Sequence, residues 1–250
     1  MSSVEICAQS LADAHRTGQR LVELPIEIRP QTLEESYAIQ QKALDHLGYG
    51  AAWKVGAGTP DSTPLASPLP KGVVFPGPHS FSLKQFGFCG IEVELGFRLG
   101  KSLPPRSKPY DRDEVLDAVQ LVTTTLEIVD SRFLDYKTVD RFSHLADFQN
   151  NGALVSGAPF SPWQDLNLAT LHARLEIDGV KRGESIGGNT AGDPIRLLVW
   201  LANHAADRGL PLGAGDIVTS GALTGMTIVD HPAKISGFLE GIGSVELSLA

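Results

Sequence analysis

Apolar positions keep helical spacing over only a few stretches of the chain and alternate with polar ones over most of the rest. Between Thr32 and Gly48, Leu33, Tyr37, Leu44 and Leu47 fall near one face of a helix. Thr32 followed three positions later by Glu35 is a capping box, and Gly48 can close that helix. The first fifty residues as a whole read as helical. From Gly50 to Pro78, Gly, Pro, Ser and Thr break the periodicity and predict loops with short extended pieces. Ile91 to Leu99 predicts a strand. Asp111 with Glu114 predicts the cap of a short helix running to about Val122, and β-branched Thr124 to Val129 predicts another strand. Leu171 to Ile177, then Asp178-Gly179, then Val180 spell a hairpin with a type I′ turn. Asp193-Pro194 opens a helix that Gly209 ends. Ile217 to Ser220, the stretch from Ile228, and Ser244 to Leu249 read as further strands. Helices come early and strands late, so the pattern predicts an α+β fold with a mostly β core instead of alternating βαβ units.

Composition narrows this further. The chain has 250 residues with 26 Gly and 16 Pro, which favours a turn-rich architecture over a helical bundle. No repeat or long linker interrupts it, so a single domain over 1–250 is expected, helical over 1–50 and mostly β over 51–250. The formal net charge is −8, and no dense Lys/Arg block is present, so nucleic acid is not an expected partner. Leu197 to Ala202 is the longest apolar run in the longest expected helix, far short of the roughly 20 residues that span a bilayer. Glu5 and the absence of a continuous apolar run argue against a secretory signal, and Cys7 and Cys89 read as two thiols in a reducing cytoplasm.

Three familiar motifs fail on register or context. Gly56-Ala57-Gly58 starts like a dinucleotide fingerprint, but Asp61 stands where the third glycine belongs. Gly100-Lys101-Ser102 ends like a phosphate loop, but Leu95 occupies the required glycine position. Gly183-Glu184-Ser185-Ile186-Gly187, with Asp216 and His231 after it, has the hydrolase order. A polar hairpin arm leads into it, however, where a nucleophile elbow needs a buried strand.

Carboxylates carry the remaining chemistry. Glu92 and Glu94 lie at i and i+2 of the strand and so share one face. That face is either solvated or a pair of ligands for a hard divalent cation. Glu127, inside Leu126-Glu127-Ile128-Val129-Asp130-Ser131-Arg132, sits in an apolar strand where an unpaired carboxylate is costly. Three carboxylates could hold Mg²⁺ or Mn²⁺, while Asp130 and Arg132 read as a structural ion pair.

These blocks, with Ala146-Asp147 in Leu-Ala-Asp-Phe-Gln-Asn-Asn-Gly, resemble the fumarylacetoacetate hydrolase superfamily. The resemblance is strongest to its 2-keto-4-pentenoate hydratase and 4-oxalocrotonate decarboxylase branch. Lys54-Val55-Gly56, Gly192 to Asn203, Gly215 to Gly225 and the closing Gly-Ile-Gly-Ser-Val-Glu fit as well. The resemblance implies a mixed β-roll core with an N-terminal helical portion, a homo-oligomer, and a Mg²⁺ or Mn²⁺ site. By position, Glu92, Glu94 and Glu127 match the metal ligands and Lys54 the active-site lysine, expected to shuttle protons with a pKa lowered near the cation. Ser220, Gly221 and Ala222 fall on a glycine-rich loop that faces substrate in relatives. Asn150 and Asn151 replace serines beside the site, which makes Asn151 a candidate substrate contact. Asp147 is a candidate for orienting Lys54 or a water, or else a structural loop residue, and His144 reads as a surface loop residue.

The implied activity is hydration of a 2-hydroxy-2,4-dienoate or 2-oxo-enoate to a 4-hydroxy-2-oxo acid, as in aromatic-compound catabolism. One departure stands out: hydratases of this branch carry an aspartate some twenty residues after the lysine, and Ser67 to Gly72 here has no acid. The alternatives are decarboxylation of a 4-oxalocrotonate-like 2-oxo acid, C–C bond hydrolysis of an acylpyruvate, and a non-catalytic 2-oxo-acid binding homologue.

Overall fold

The structure is a computed structural model describing residues 1–250. Its strands are β1 (Tyr49–Gly56), β2 (Leu65–Pro70), β3 (Val74–Pro76), β4 (His79–Phe81), β5 (Gly90–Leu99), β6 (Val119–Val129), β7 (Asn151–Ser156), β8 (His172–Ile177), β9 (Val180–Ile186), β10 (Ile217–Ala222), β11 (Thr227–Ile228), β12 (Ala233–Leu239) and β13 (Gly243–Leu249). The helices are α1 (Ser3–Thr17), α2 (Leu33–Leu47), α3 (Arg112–Ala118), α4 (Arg141–Ala146) and α5 (Pro194–Asp207).

One mixed sheet runs β2-β1-β10-β5-β6-β7-β3, with β11 on the end of β5. Leu69 of β2 and Leu154 of β7 stand near opposite ends of that order, yet they share a small apolar cluster with Ala52, Val73 and Ile217. The sheet is therefore curled until its ends meet. A second sheet, β4-β13-β12-β8-β9, covers its outer face. The approach is close enough that a Cβ at Gly237 would meet Leu126 Cδ2 at 3.0 Å and Val93 Cγ2 at 3.2 Å.

Strand alternation then decides where the acids go. Ile91, Val93, Leu95 and Phe97 of β5 are buried in the large core between the sheets. The intervening Glu92, Glu94, Gly96 and Arg98 therefore face the inside of the roll. A one-residue slip of β5 would exchange the two sets, so the apolar core fixes the register that turns the carboxylates inward.

The N-terminal helices do not stand apart. Cys7, Ala8 and Leu11 of α1 and Ile39, Ala43 and Leu44 of α2 form a core with Phe133, Ala146 and Phe148, so packing crosses the expected boundary at residue 50. The capping boxes at Thr32 and at Asp111 are both formed, and Asp178 and Gly179 take the positive φ values of 51° and 74° that a type I′ turn needs. Three expectations are corrected. Residues 18–32 are not helical, apart from the cap at Thr32. The stretch from Gly50 carries all but the first residue of the eight-residue strand β1, more than a short extended piece. The helix begun at Asp111 stops at Ala118, because β-branched Val119 to Val129 pairs with β5 over its whole length. No helix is long and apolar enough to cross a membrane.

Helix α5 carries a titratable group that the fold holds neutral. His204 stacks on Trp200 at 4.4 Å and packs on Tyr37 at 4.7 Å. Burial, aided by the Arg208 cation, lowers its pKa to about 4. The folded value lies below the unfolded one, so this contribution is complete above pH ~6.5 and is lost as pH falls through about 4. Allowing for partial exposure, the loss is about 1 kcal/mol by pH ~5. Melting curves of the His204→Gln variant should show a correspondingly shallower fall between pH 7 and 5, and an unchanged slope would remove His204 as the cause.

Candidate metal centre

Glu92 on β5 lies directly opposite Glu127 on β6, with Glu94 one pleat along. One carboxylate oxygen from each falls within 4.8 Å of the others. Glu94 and Glu127 are buried, and Glu92 is half-buried. Directly opposed like charges are unfavourable, more so out of water. Burial, then Glu127, pushes the Glu92 carboxyl up to about 7, and burial with both neighbouring acids holds Glu94 well above the usual carboxylate range.

One cation answers them. Lys54 of β1 donates from Nζ to Glu127 Oε1 at 2.7 Å and to the Gln149 carbonyl at 3.1 Å. Burial pulls the Lys54 ammonium down, but Glu127, Glu92 and Glu94 together outweigh it and leave the pKa above the ordinary lysine value. The expected lowering is thus reversed for the protein without a metal. Three carboxylates against one ammonium leave the centre short of positive charge, and Glu127 Oε2 is buried without any partner. An all-oxygen donor set with an unused buried carboxylate oxygen fits a hard divalent cation.

Neighbouring residues hold these carboxylates in place. Asn151 Nδ2 donates to Glu127 Oε1 at 2.9 Å, and the Gly221 amide donates to Glu94 Oε2 at 3.1 Å. Ser220, Gly221 and Ala222 are the end of strand β10, not a loop. A register shift between Thr219 and Ala222, with Gly221 at φ 86°, turns the Gly221 N–H toward Glu94. Ser220 Oγ is committed to the Leu95 carbonyl at 3.0 Å.

Asp147 does not reach Lys54. Its carboxylate takes Arg132 Nε at 2.6 Å and the Arg132 amide at 2.9 Å, and Arg132 also donates to the Asn151 carbonyl at 2.7 Å. The expected Asp130–Arg132 pair is likewise absent, since Asp130 binds Arg20 at 2.8 Å. His144, expected on a surface loop, lies in α4 with Nδ1 against Asn150 Oδ1 at 3.0 Å. The Arg132–Asp147 bracket fixes the two ends of a strained turn. Phe148, Gln149 and Asn150 have φ of 50°, 51° and 58°, three consecutive non-glycine residues in the left-handed region. Each costs about 1–2 kcal/mol, so tertiary contacts must impose the turn. Its effect is to aim the Gln149 carbonyl at Lys54.

Sequence reasoning passed over Gln149, Ser67 and Gln40. Ser67 is the Cα partner of Lys54 across β1 and β2, bonds Gln149 Oε1 at 3.0 Å and accepts from Gln40 Nε2 at 2.7 Å. The sequence offers one hint, an amide at position 149 within the block that carries the resemblance. The hydrolase-like residues stay apart: Ser185 donates to the Leu223 carbonyl, Asp216 accepts from Tyr49 and the Gly213 amide, and exposed His231 contacts Asp230.

Comparison with known proteins gives a consistent result. The family model for the fumarylacetoacetate (FAA) hydrolase C-terminal region matches residues 72–249. The chain is 29% identical to a 2-keto-4-pentenoate hydratase of Paraburkholderia xenovorans (strain LB400), over 96% of this chain and 93% of that one. It is 30% identical to a 2-hydroxyhexa-2,4-dienoate hydratase of Comamonas testosteroni, over 66% and 62% respectively. In fold it is similar to the 4-oxalocrotonate decarboxylase from Pseudomonas putida G7 complexed with magnesium and adipate. That likeness has a TM-score of 0.87 at 21% identity, covering 99% of this chain and 97% of that one.

Proposed function

The chain belongs to the fumarylacetoacetate hydrolase family, and on that premise we propose that it is a divalent-metal-dependent hydratase. It converts a 2-hydroxy-2,4-dienoate into a 4-hydroxy-2-oxo acid, a lyase reaction of the kind named for its hydratase relatives. The observation that carries the reading is the convergence of Glu92, Glu94 and Glu127 with Lys54 inside the roll. Those three carboxylates would hold the ion, Mg²⁺ or Mn²⁺. A bound divalent ion supplies Lewis acidity toward the carboxylate and 2-oxo oxygens of such an acid.

The protein's own residues do the rest. Lys54 Nζ donates to Glu127 Oε1 and to the Gln149 carbonyl, which supports assigning to it the proton transfer to or from a substrate carbon. Protonation at C5 of a dienol with loss of its 2-hydroxyl proton gives the isomeric, conjugated 2-oxo-3-enoate; water then adds its hydroxyl at C4 and a proton at C3. Asn151 and Gly221 orient Glu127 and Glu94, which supports assigning both to the border of the substrate space. The proposal includes a cytoplasmic homo-oligomer.

A second reading, decarboxylation of a 4-oxalocrotonate-like acid, is favoured by one observation. Ser67 is the only hydroxyl of the 67–72 stretch and no carboxylate replaces the hydratase aspartate there, while loss of CO₂ needs no acid to activate water.

The test offers purified protein 2-hydroxypenta-2,4-dienoate and 4-oxalocrotonate separately, with and without Mg²⁺. The dienol absorbance is followed and the products are weighed. Gain of one water, dependent on the metal, is the expected result. Metal-dependent loss of CO₂ would replace hydration by the second reading. Return of both substrates unchanged while Mn²⁺ and oxalate still bind would discard both and leave a 2-oxo-acid binding protein.

A further inference from the structure

We infer that Gln149 is a substrate-binding residue, whose side-chain amide donates from Nε2 to an oxygen of the anionic substrate beside Lys54, and that Ser67 and Gln40 are positioning residues that set its orientation. The inference deepens the proposed function and rests on its substrate being a 2-oxo acid.

The direction of a short chain of hydrogen bonds carries the argument. Gln40 and Ser67 are fully buried. Gln40 Nε2 faces the Leu145 and Ala66 carbonyls, groups that can only accept, so its amide orientation is fixed, and its second proton goes to Ser67 Oγ at 2.7 Å in preference to the Ala66 carbonyl at 3.5 Å. Ser67 then has one proton to place, and the acceptor within reach is Gln149 Oε1 at 3.0 Å. The reverse orientation of Gln149 would leave a buried hydroxyl proton without an acceptor. Gln149 Nε2 is thereby turned away from Ser67. It makes no hydrogen bond in the chain, and it is not among the atoms sealed from solvent, so two donors are presented unpaired on a half-buried residue.

Their location is fixed by the same residue's backbone. The Gln149 carbonyl receives Lys54 Nζ at 3.1 Å, and Ser67 stands opposite Lys54 across the β1–β2 pair. A strained left-handed turn at φ 51° is what allows one residue to reach Lys54 with its carbonyl and Ser67 with its side chain. An open, oriented neutral donor on the residue whose carbonyl receives the Lys54 ammonium matches a carboxylate or oxo oxygen.

The experiment reads oxalate, an unreactive stand-in for the 2-oxo carboxylate, by calorimetry on the Mn²⁺-loaded protein, together with Mn²⁺ affinity, melting temperature, KM and kcat. Gln149→Met removes the donor. Gln149→Glu keeps the volume and the acceptor for Ser67 while replacing the free donor by an acceptor. Both should weaken oxalate about tenfold or more, with KM rising by more than kcat falls and Mn²⁺ affinity within about twofold of the parent. Ser67→Ala should give a smaller rise of the same kind. Oxalate binding unchanged in both Gln149 variants overturns the inference, as does a fall in kcat alone, which would assign Gln149 to holding Lys54. If the parent binds Mn²⁺ and oxalate but turns over neither dienoate nor oxalocrotonate, the reaction assignment fails while Gln149 is still judged by oxalate.

Discussion

Glu94→Gln is expected to weaken Mn²⁺ binding on the order of 100-fold or more, and at the same time to raise the melting temperature of the metal-free protein. The first effect follows from removing one of three converging carboxylates. The second follows from their repulsion: Glu94 is buried, and burial with Glu127 and Glu92 pushes its pKa up against the opposing Lys54 charge, Thr219 and the Gly221 amide at 3.1 Å. A neutral amide there relieves like-charge crowding, and even about 1 kcal/mol would appear as a rise of roughly 2–4 °C in a chain of this size. Glu127→Gln should share the loss of Mn²⁺ and move stability the other way. It leaves the Lys54 ammonium, bonded at 2.7 Å to that carboxylate, without its charged partner. Breaking such a buried pair costs about 3 kcal/mol or more. Mn²⁺ titration and melting in EDTA for the two variants decide the matter. A Glu94→Gln protein that keeps Mn²⁺ affinity and activity would sink the assignment of a metal centre here.

Lys54→Met should lower kcat on the order of 1000-fold, within the usual range for loss of a positioned acid–base group. Mn²⁺ affinity should be held or improved, since the ammonium competes for Glu127 Oε1. Methionine approximates the lysine stem and removes only the charge and the donors. A Lys54→Met enzyme within about threefold of the parent would transfer the proton step to another group. Loss of Mn²⁺ binding with kcat would instead mean that Lys54 maintains the carboxylate geometry.

Much of the site was legible because its elements are short-range. Glu92 and Glu94 share a face by strand alternation alone, and an acid inside Leu126 to Val129 must find a partner wherever that strand packs. The hairpin at Asp178-Gly179, the caps at Thr32 and Asp111 and the Asp193-Pro194 helix start are likewise set by neighbours within a few positions. The misreadings have a common origin. Asp130 and Arg132 are close in sequence and look like a pair, but they choose Arg20 and Asp147, brought in from 110 and 15 positions away. The resemblance puts Ser220 to Ala222 on a glycine-rich loop, and pairing with β5 instead carries the strand read over Ile217 to Ser220 on to Ala222.

What the sequence determined by itself is the alternation that puts the carboxylates on one face, both ends of α2 and α5 with the start of α3, and the residue types a hard cation requires. What only the tertiary structure decided is which face closes inward, which cation meets Glu127, and that Gln149 stands beside Lys54. Those depend on the sheet curling until β2 and β7 share a core, and on the Arg132–Asp147 bracket holding three residues left-handed. Local chemistry fixes what each side chain can do; its partners are fixed by long-range packing, whose free energy belongs to the closed roll and to no single segment.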